Sequence, residues 1–160
     1  MSLINKSSLN YIEKNAPDWK FVPLAAYATR DRNSFTNGPF GSNLLSSELT
    51  SSGVPVVYIR DICNGRYDRV STVCVTESKA EELSACKTEY GDVVITKVGD
   101  PPCVATQYTD KCAAIITQDV IRIKTGDILR SSFVVQLLNS EIVKRQIKKI
   151  KIEGTRDRVS

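Results

Sequence analysis

Gly91-Asp92-Val93-Val94-Ile95-Thr96-Lys97-Val98 is the stretch from which the fold can be read. A glycine and an aspartate make a turn signal, and the four residues that follow are all β-branched, the side chains that favour a strand over a helix. A strand of this composition must bury an apolar face. Downstream, further short strands are predicted at 103–108, 113–117 and 120–124, and Gly126-Asp127 closes the β-rich section. Upstream, residues 54–60 (Val-Pro-Val-Val-Tyr-Ile-Arg) read as a strand, Asn64-Gly65 as a turn and 70–75 as a second strand. Residues 76–86, rich in Glu, Lys and Ala, read as a short helix with Thr76 or Ser78 as N-cap.

The two ends differ from this middle. Trp19 and Phe21 read as core anchors ahead of a short helical stretch at 24–28, and turn formers then crowd 29–52 into one long structured loop. After 126 the apolar period changes. Ser131 or Ser132 can cap a helix over 133–138, Asn139-Ser140 interrupts it, and 141–150 places Ile142, Val143, Ile147 and Ile150 at helical spacing. Lys144, Arg145, Lys148 and Lys149 lie on the other face, and Gly154 ends the helix. Short strands with regular turns, followed by helices, predict an α+β fold: a mixed or antiparallel twisted sheet, a few helices, and the last helices C-terminal.

Composition narrows the function. At 160 residues, one domain is the default. Histidine is absent, which removes Ser-His-Asp and Cys-His mechanisms, HNH-type nuclease centres and histidine-ligated metals. The five cysteines are odd in number and contain no CxxC pair, so they read as reduced, partly buried thiols with neither a disulfide framework nor a metal. No apolar run approaches the length of a bilayer span and the N-terminus has no signal-peptide pattern, which predicts a soluble, cytoplasmic protein. The net charge of +4 is carried by residues 141–160, since 1–140 hold equal numbers of each sign.

Three motifs invite a chemical reading. Asp100-Pro101-Pro102-Cys103 approximates the Asp/Asn-Pro-Pro-aromatic centre of amino-methyltransferases, but the aromatic is a cysteine and no Gly-x-Gly loop precedes it, so a double-proline turn is the preferred reading. Glu77-Ser78-Lys79 matches half of a nuclease motif, yet lies in a predicted helix. Gly38-Pro39-Phe40-Gly41-Ser42-Asn43-Leu44 lacks the lysine of a phosphate-binding loop, and Gly38 reads as a position of positive φ or close backbone approach.

That last run belongs to an ordered set. With Gly53-Val54-Pro55-Val56, Arg60-Asp61-Ile62, Asn64-Gly65, residues 91–99, Phe133-Val134-Val135-Gln136-Leu137-Leu138-Asn139-Ser140 and Gly154-Thr155, it resembles the target-recognition domain of type I restriction-modification specificity subunits. The similarity extends over roughly residues 19–160. The resemblance implies a single target-recognition domain over 1–160, with 19–153 as its core and 154–160 as the start of a continuation. It implies a DNA-binding protein with no catalytic centre or cofactor of its own, reading one half of a bipartite target site. Its partners would be double-stranded DNA, a modification subunit carrying S-adenosylmethionine, and a restriction subunit. Similar domains end some adenine-specific DNA methyltransferases and fused restriction-methylation enzymes, which is the nearest alternative. A methyltransferase fragment using Asp100-Pro101-Pro102 and a protein-binding adaptor are the others.

Base reading needs Arg, Lys, Asn or Gln on rigid strand ends or turns. Arg60 and Lys97 are predicted to end apolar strands, Asn64 and Arg66 to sit on an adjoining turn, and Arg30, Arg32 and Asn43 to bracket the long loop. Lys148 and Lys149, on the basic helix face, suit phosphates.

Overall fold

The structure, a computed structural model, describes residues 14–18, 22–24, 33–99, 101–126 and 129–150. Among the described residues there are nine short strands: β1 (Phe35–Asn37), β2 (Leu49–Thr50), β3 (Val54–Val57), β4 (Cys74–Val75), β5 (Lys87–Thr88), β6 (Val93–Thr96), β7 (Ala105–Gln107), β8 (Ala114–Ile116) and β9 (Val120–Ile123). Helix α1 (Glu77–Glu82) lies between β4 and β5, and α2 (Ser131–Leu138) and α3 (Glu141–Ile150) follow β9. The α+β class read from the sequence is the one observed, with the strands divided between two sheets. One is antiparallel throughout, in the order β1-β9-β6-β7, and the other is mixed, in the order β2-β4-β3-β8-β5, with β3 and β8 parallel.

β6 is central because both of its faces are covered. Val93 and Ile95 pack with Ala105, Ile123 and Val134 of α2, whereas Val94 points the other way into a core shared with Val56, Val57, Ile115, Ile116 and Val120. This explains why 93–96 shows no polar alternation: a strand buried on both sides reads as a continuous apolar run. Arg122 of β9 shares the inner face with Val120. It is 2% exposed, and its Nη2 donates to the carbonyl of Ala85 at 3.0 Å and to Thr36 Oγ1 at 3.4 Å.

Several boundaries move. The strand expected over 54–60 stops at Val57, and the chain turns into a 3-10 segment, Ile59–Gly65. The cause is Asp61, which is wholly buried and takes the Tyr58 N–H on Oδ2 at 2.8 Å, a donor that a continuing strand would have needed. Its Oδ1 accepts from the amides of Val70 at 3.0 Å and Ser71 at 2.8 Å, which also reduces the strand expected at 70–75 to β4. From residue 33 on, the long loop predicted over 29–52 contains β1, two 3-10 turns and β2. β5 was not foreseen. The helix read at 76–86 ends at Glu82 and passes into a 3-10 turn, while Thr76 caps it as expected by accepting from the Lys79 N–H at 3.2 Å. Ser131 does not cap α2. Arg130 holds that position without a side-chain bond, and the Ser131 hydroxyl meets Thr125 Oγ1 at 2.9 Å. Trp19, Phe21, the 24–28 helix beyond Leu24 and Gly154 lie outside the described residues.

Among the described residues no helix is long and apolar enough to cross a membrane, and no group of His, Cys, Asp or Glu could hold a metal ion. Cys74 and Cys86 are buried free thiols, and Cys103, half-buried, is pushed up to about 11 by burial.

Candidate nucleic-acid interface

The parallel pairing of β3 with β8 directs two strand ends the same way. Thr117, just past β8, donates its N–H and its hydroxyl to the carbonyl of Val57, each at 3.0 Å. The chain then reverses through Thr117-Gln118-Asp119 into β9, closed by Val120 N–H on the Thr117 carbonyl at 2.9 Å. Two further elements join this end: Lys97, one residue past β6, donates its N–H to the Asp119 carbonyl at 2.7 Å, and Gly38, one past β1, donates to the Val120 carbonyl at 3.1 Å. Arg60, Lys97 and the 38–43 loop with Asn43 are therefore gathered at one end of the two sheets.

Gly38 has no room for a side chain. A Cβ there would run into the backbone carbonyl of Thr117 and stand 2.7 Å from the Gln118 nitrogen, so the glycine is required by close approach. With Pro39 also buried, the loop has a fixed root, from which Phe40 emerges with 76% of its area exposed.

Arg60 sits on the 3-10 segment instead of a strand end, yet it is well held. Its guanidinium lies over the Tyr58 ring, 4.7 Å from the centroid, and its Nε donates to Ser71 Oγ at 2.6 Å. Its two terminal nitrogens have no hydrogen bond among the described residues. Tyr58 and Ser71 are the residues whose amides Asp61 holds, so one buried carboxylate fixes both supports of the arginine. Arg66 pairs with Asp68 at 3.2 Å, but the two side chains are 79% and 61% exposed, an ion pair that restrains little.

Arg69 was missed by sequence reasoning. It donates from Nε to the Ser71 carbonyl at 3.1 Å and lines a shallow cleft with Pro55, Asp110, Lys111 and Cys112. The far wall is held by two tyrosines whose rings stand 4.8 Å apart: Tyr67 donates to Asp110 Oδ2 at 3.2 Å and Tyr108 to the Cys112 carbonyl at 2.7 Å. Burial, with Tyr108 and Asp110 adding to it, lifts the Tyr67 phenol above its ordinary range, and burial followed by Asp110 pushes Tyr108 up to about 12. Both are neutral donors at physiological pH.

Lys148 lies apart, exposed on α3. Ile147 of that helix is buried, Val143 is half-buried and Ile142 is 36% exposed, so the apolar face read from the sequence is only partly covered. Arg30 and Arg32, and the side chains of Asn64 and Lys149, lie outside the described residues. Gln118, exposed in the turn that roots Gly38, was also missed, although a glutamine between two predicted strands was the available signal.

Residues 101–104 lie between β6 and β7, and Asp100 lies outside the described residues. Cys103 has φ 64 and donates its N–H to the Thr96 carbonyl at 2.8 Å, while Pro102 is buried.

No family model and no curated protein matches the chain. Among solved structures, 83% of it aligns, at 14% identity and a TM-score of 0.54, with a chain from work on complex assembly and conformational transition of the type I R-M system. The aligned part spans 33% of that chain, so the fold seen here is similar to a third of a larger protein from a type I R-M system.

Proposed function

We propose that this chain is a DNA-recognition domain of a type I restriction-modification specificity subunit, reading one half of a bipartite site and performing no chemistry itself. The observation that carries the reading is Arg60. It is stacked, hydrogen-bonded and rooted on a buried aspartate, with its terminal nitrogens unengaged, at the end of the sheets where Lys97 and Asn43 also stand. A guanidinium fixed in this way suits the bidentate acceptor pair on a guanine edge. The likeness to part of a type I R-M chain supports the same reading. Arg66, Arg69 and Lys111 extend the basic surface, and Lys148 with Lys149 supplies phosphate contacts from a separate element. Duplex DNA and the modification and restriction subunits are the partners this implies.

Titration of a labelled duplex with the full chain at increasing salt tests it. Affinity should fall linearly on logarithmic axes as counterions are released. A flat response would favour a protein-binding adaptor, and binding of S-adenosylmethionine by the chain alone would favour a methylation centre at Asp100-Pro101-Pro102.

A further inference from the structure

Phe40 and Gln118 come from distant parts of the sequence and stand on adjoining loops at the sheet end. A Cβ on Gly41 would stand 3.5 Å from Gln118 Oε1, so the glutamine amide lies along the loop that carries Phe40. Both residues are exposed, and the amide makes no hydrogen bond among the described residues. Their mount is rigid on both sides, through Gly38 on Val120, Asn43 N–H on the Phe40 carbonyl at 2.8 Å, and the Thr117 bonds to Val57. A large ring exposed over three-quarters of its area on such a base is not filling a core. A primary amide offers one donor and one acceptor side by side, the complement of adenine N6 and N7 in the major groove. An exposed aromatic ring on the residue before Gly41 complements the C5-methyl of thymine.

Resting on the DNA-recognition reading, we propose that Gln118 and Phe40 form a composite reader of an adenine–thymine step, with Gln118 pairing to the adenine edge and Phe40 packing on a thymine methyl. Neither residue is charged, so the pair adds base preference and not general affinity.

The probe is a randomised duplex library selected on the full chain at low ionic strength. The wild type should enrich a sequence containing at least one fixed A·T pair. Gln118→Ala should lose the preference at one such position by about 5- to 150-fold, the range of a bidentate base contact. Phe40→Ala should lose about fourfold at an A·T position in the same step, the worth of one buried methyl. Replacing that thymine by deoxyuridine should weaken the wild type by the same factor and leave Phe40→Ala unaffected, and 7-deazaadenine should do likewise for the wild type and Gln118→Ala. If the wild type enriches a sequence that both variants enrich unchanged, this inference is overturned and the DNA-recognition reading stands. If the wild type enriches no sequence, the recognition reading itself fails.

Discussion

The Asn139 side chain closes on both backbone groups of Ala105: its Oδ1 accepts from the Ala105 N–H at 3.0 Å and its Nδ2 donates to the Ala105 carbonyl at 2.8 Å. Ala105 is wholly buried on β7, the outer strand of its sheet, so one amide stands in for a missing neighbouring strand and ties the end of α2 to the sheet. Asn139→Ala should lower stability by about 1–3 kcal/mol, the cost of leaving buried backbone groups unmet. Urea denaturation measures it, and exchange of the Ala105 amide should quicken beyond the global change.

Asp61→Ala removes the acceptor of three backbone N–H groups at once. The expected loss is on the order of 3 kcal/mol, visible as a lower urea midpoint. Asp61→Asn keeps an acceptor and should lose less.

Asp61 also explains where the sequence could be read and where it could not. The apolar run at 93–96 and the helical spacing at 141–150 are local signals that tertiary contacts only reinforce, and both elements appear where expected. The end of β3 was hidden, because Tyr58-Ile59-Arg60 continues the strand pattern and only a carboxylate one residue later, buried by folding, diverts it. Arg122 follows strand periodicity but carries a charge, and nothing local shows that Ala85 supplies a carbonyl for it. Gln118 and Phe40 stand 78 positions apart, a juxtaposition made by β1 and β9 pairing that no window of sequence contains.

Gly38→Ala should cost about 1–3 kcal/mol or more, because the added methyl meets backbone on both sides of the Thr117–Gln118 peptide. A thermal melt reads the loss. The companion substitution Gly41→Ala, where only the Gln118 side chain is near, should leave the stability within about 0.5 kcal/mol of wild type.

Burial of Tyr67 and Tyr108 gives stability an alkaline limit. Their folded-state values are raised, Tyr108 to about 12, so the unfolded chain releases these protons first, near the ordinary phenol value of about 10. Their contribution is fully present below that value and is lost as pH rises from there through the folded values. Denaturation midpoints should therefore drop steeply above pH of about 10, and Tyr108→Phe should make the decline shallower. Phenolate absorbance should show Tyr67 and Tyr108 titrating late in the folded protein.

Comparing two variants on matched duplexes decides whether the sheet end carrying Arg60 and Lys97 reads bases while α3 supplies general affinity. The preferred duplex and single-base changes of it are titrated with the Arg60→Ala/Lys97→Ala chain and with the Lys148→Ala/Lys149→Ala chain, across a salt series. The first should lose discrimination at particular base positions by about 5- to 150-fold while keeping most of its salt dependence. The second should weaken on every duplex alike, with a salt slope reduced by about 1 for each lysine removed. Altered base preference in the helix variant, with preference intact in the Arg60→Ala/Lys97→Ala variant, would assign base reading to α3 and overturn the role of the sheet end.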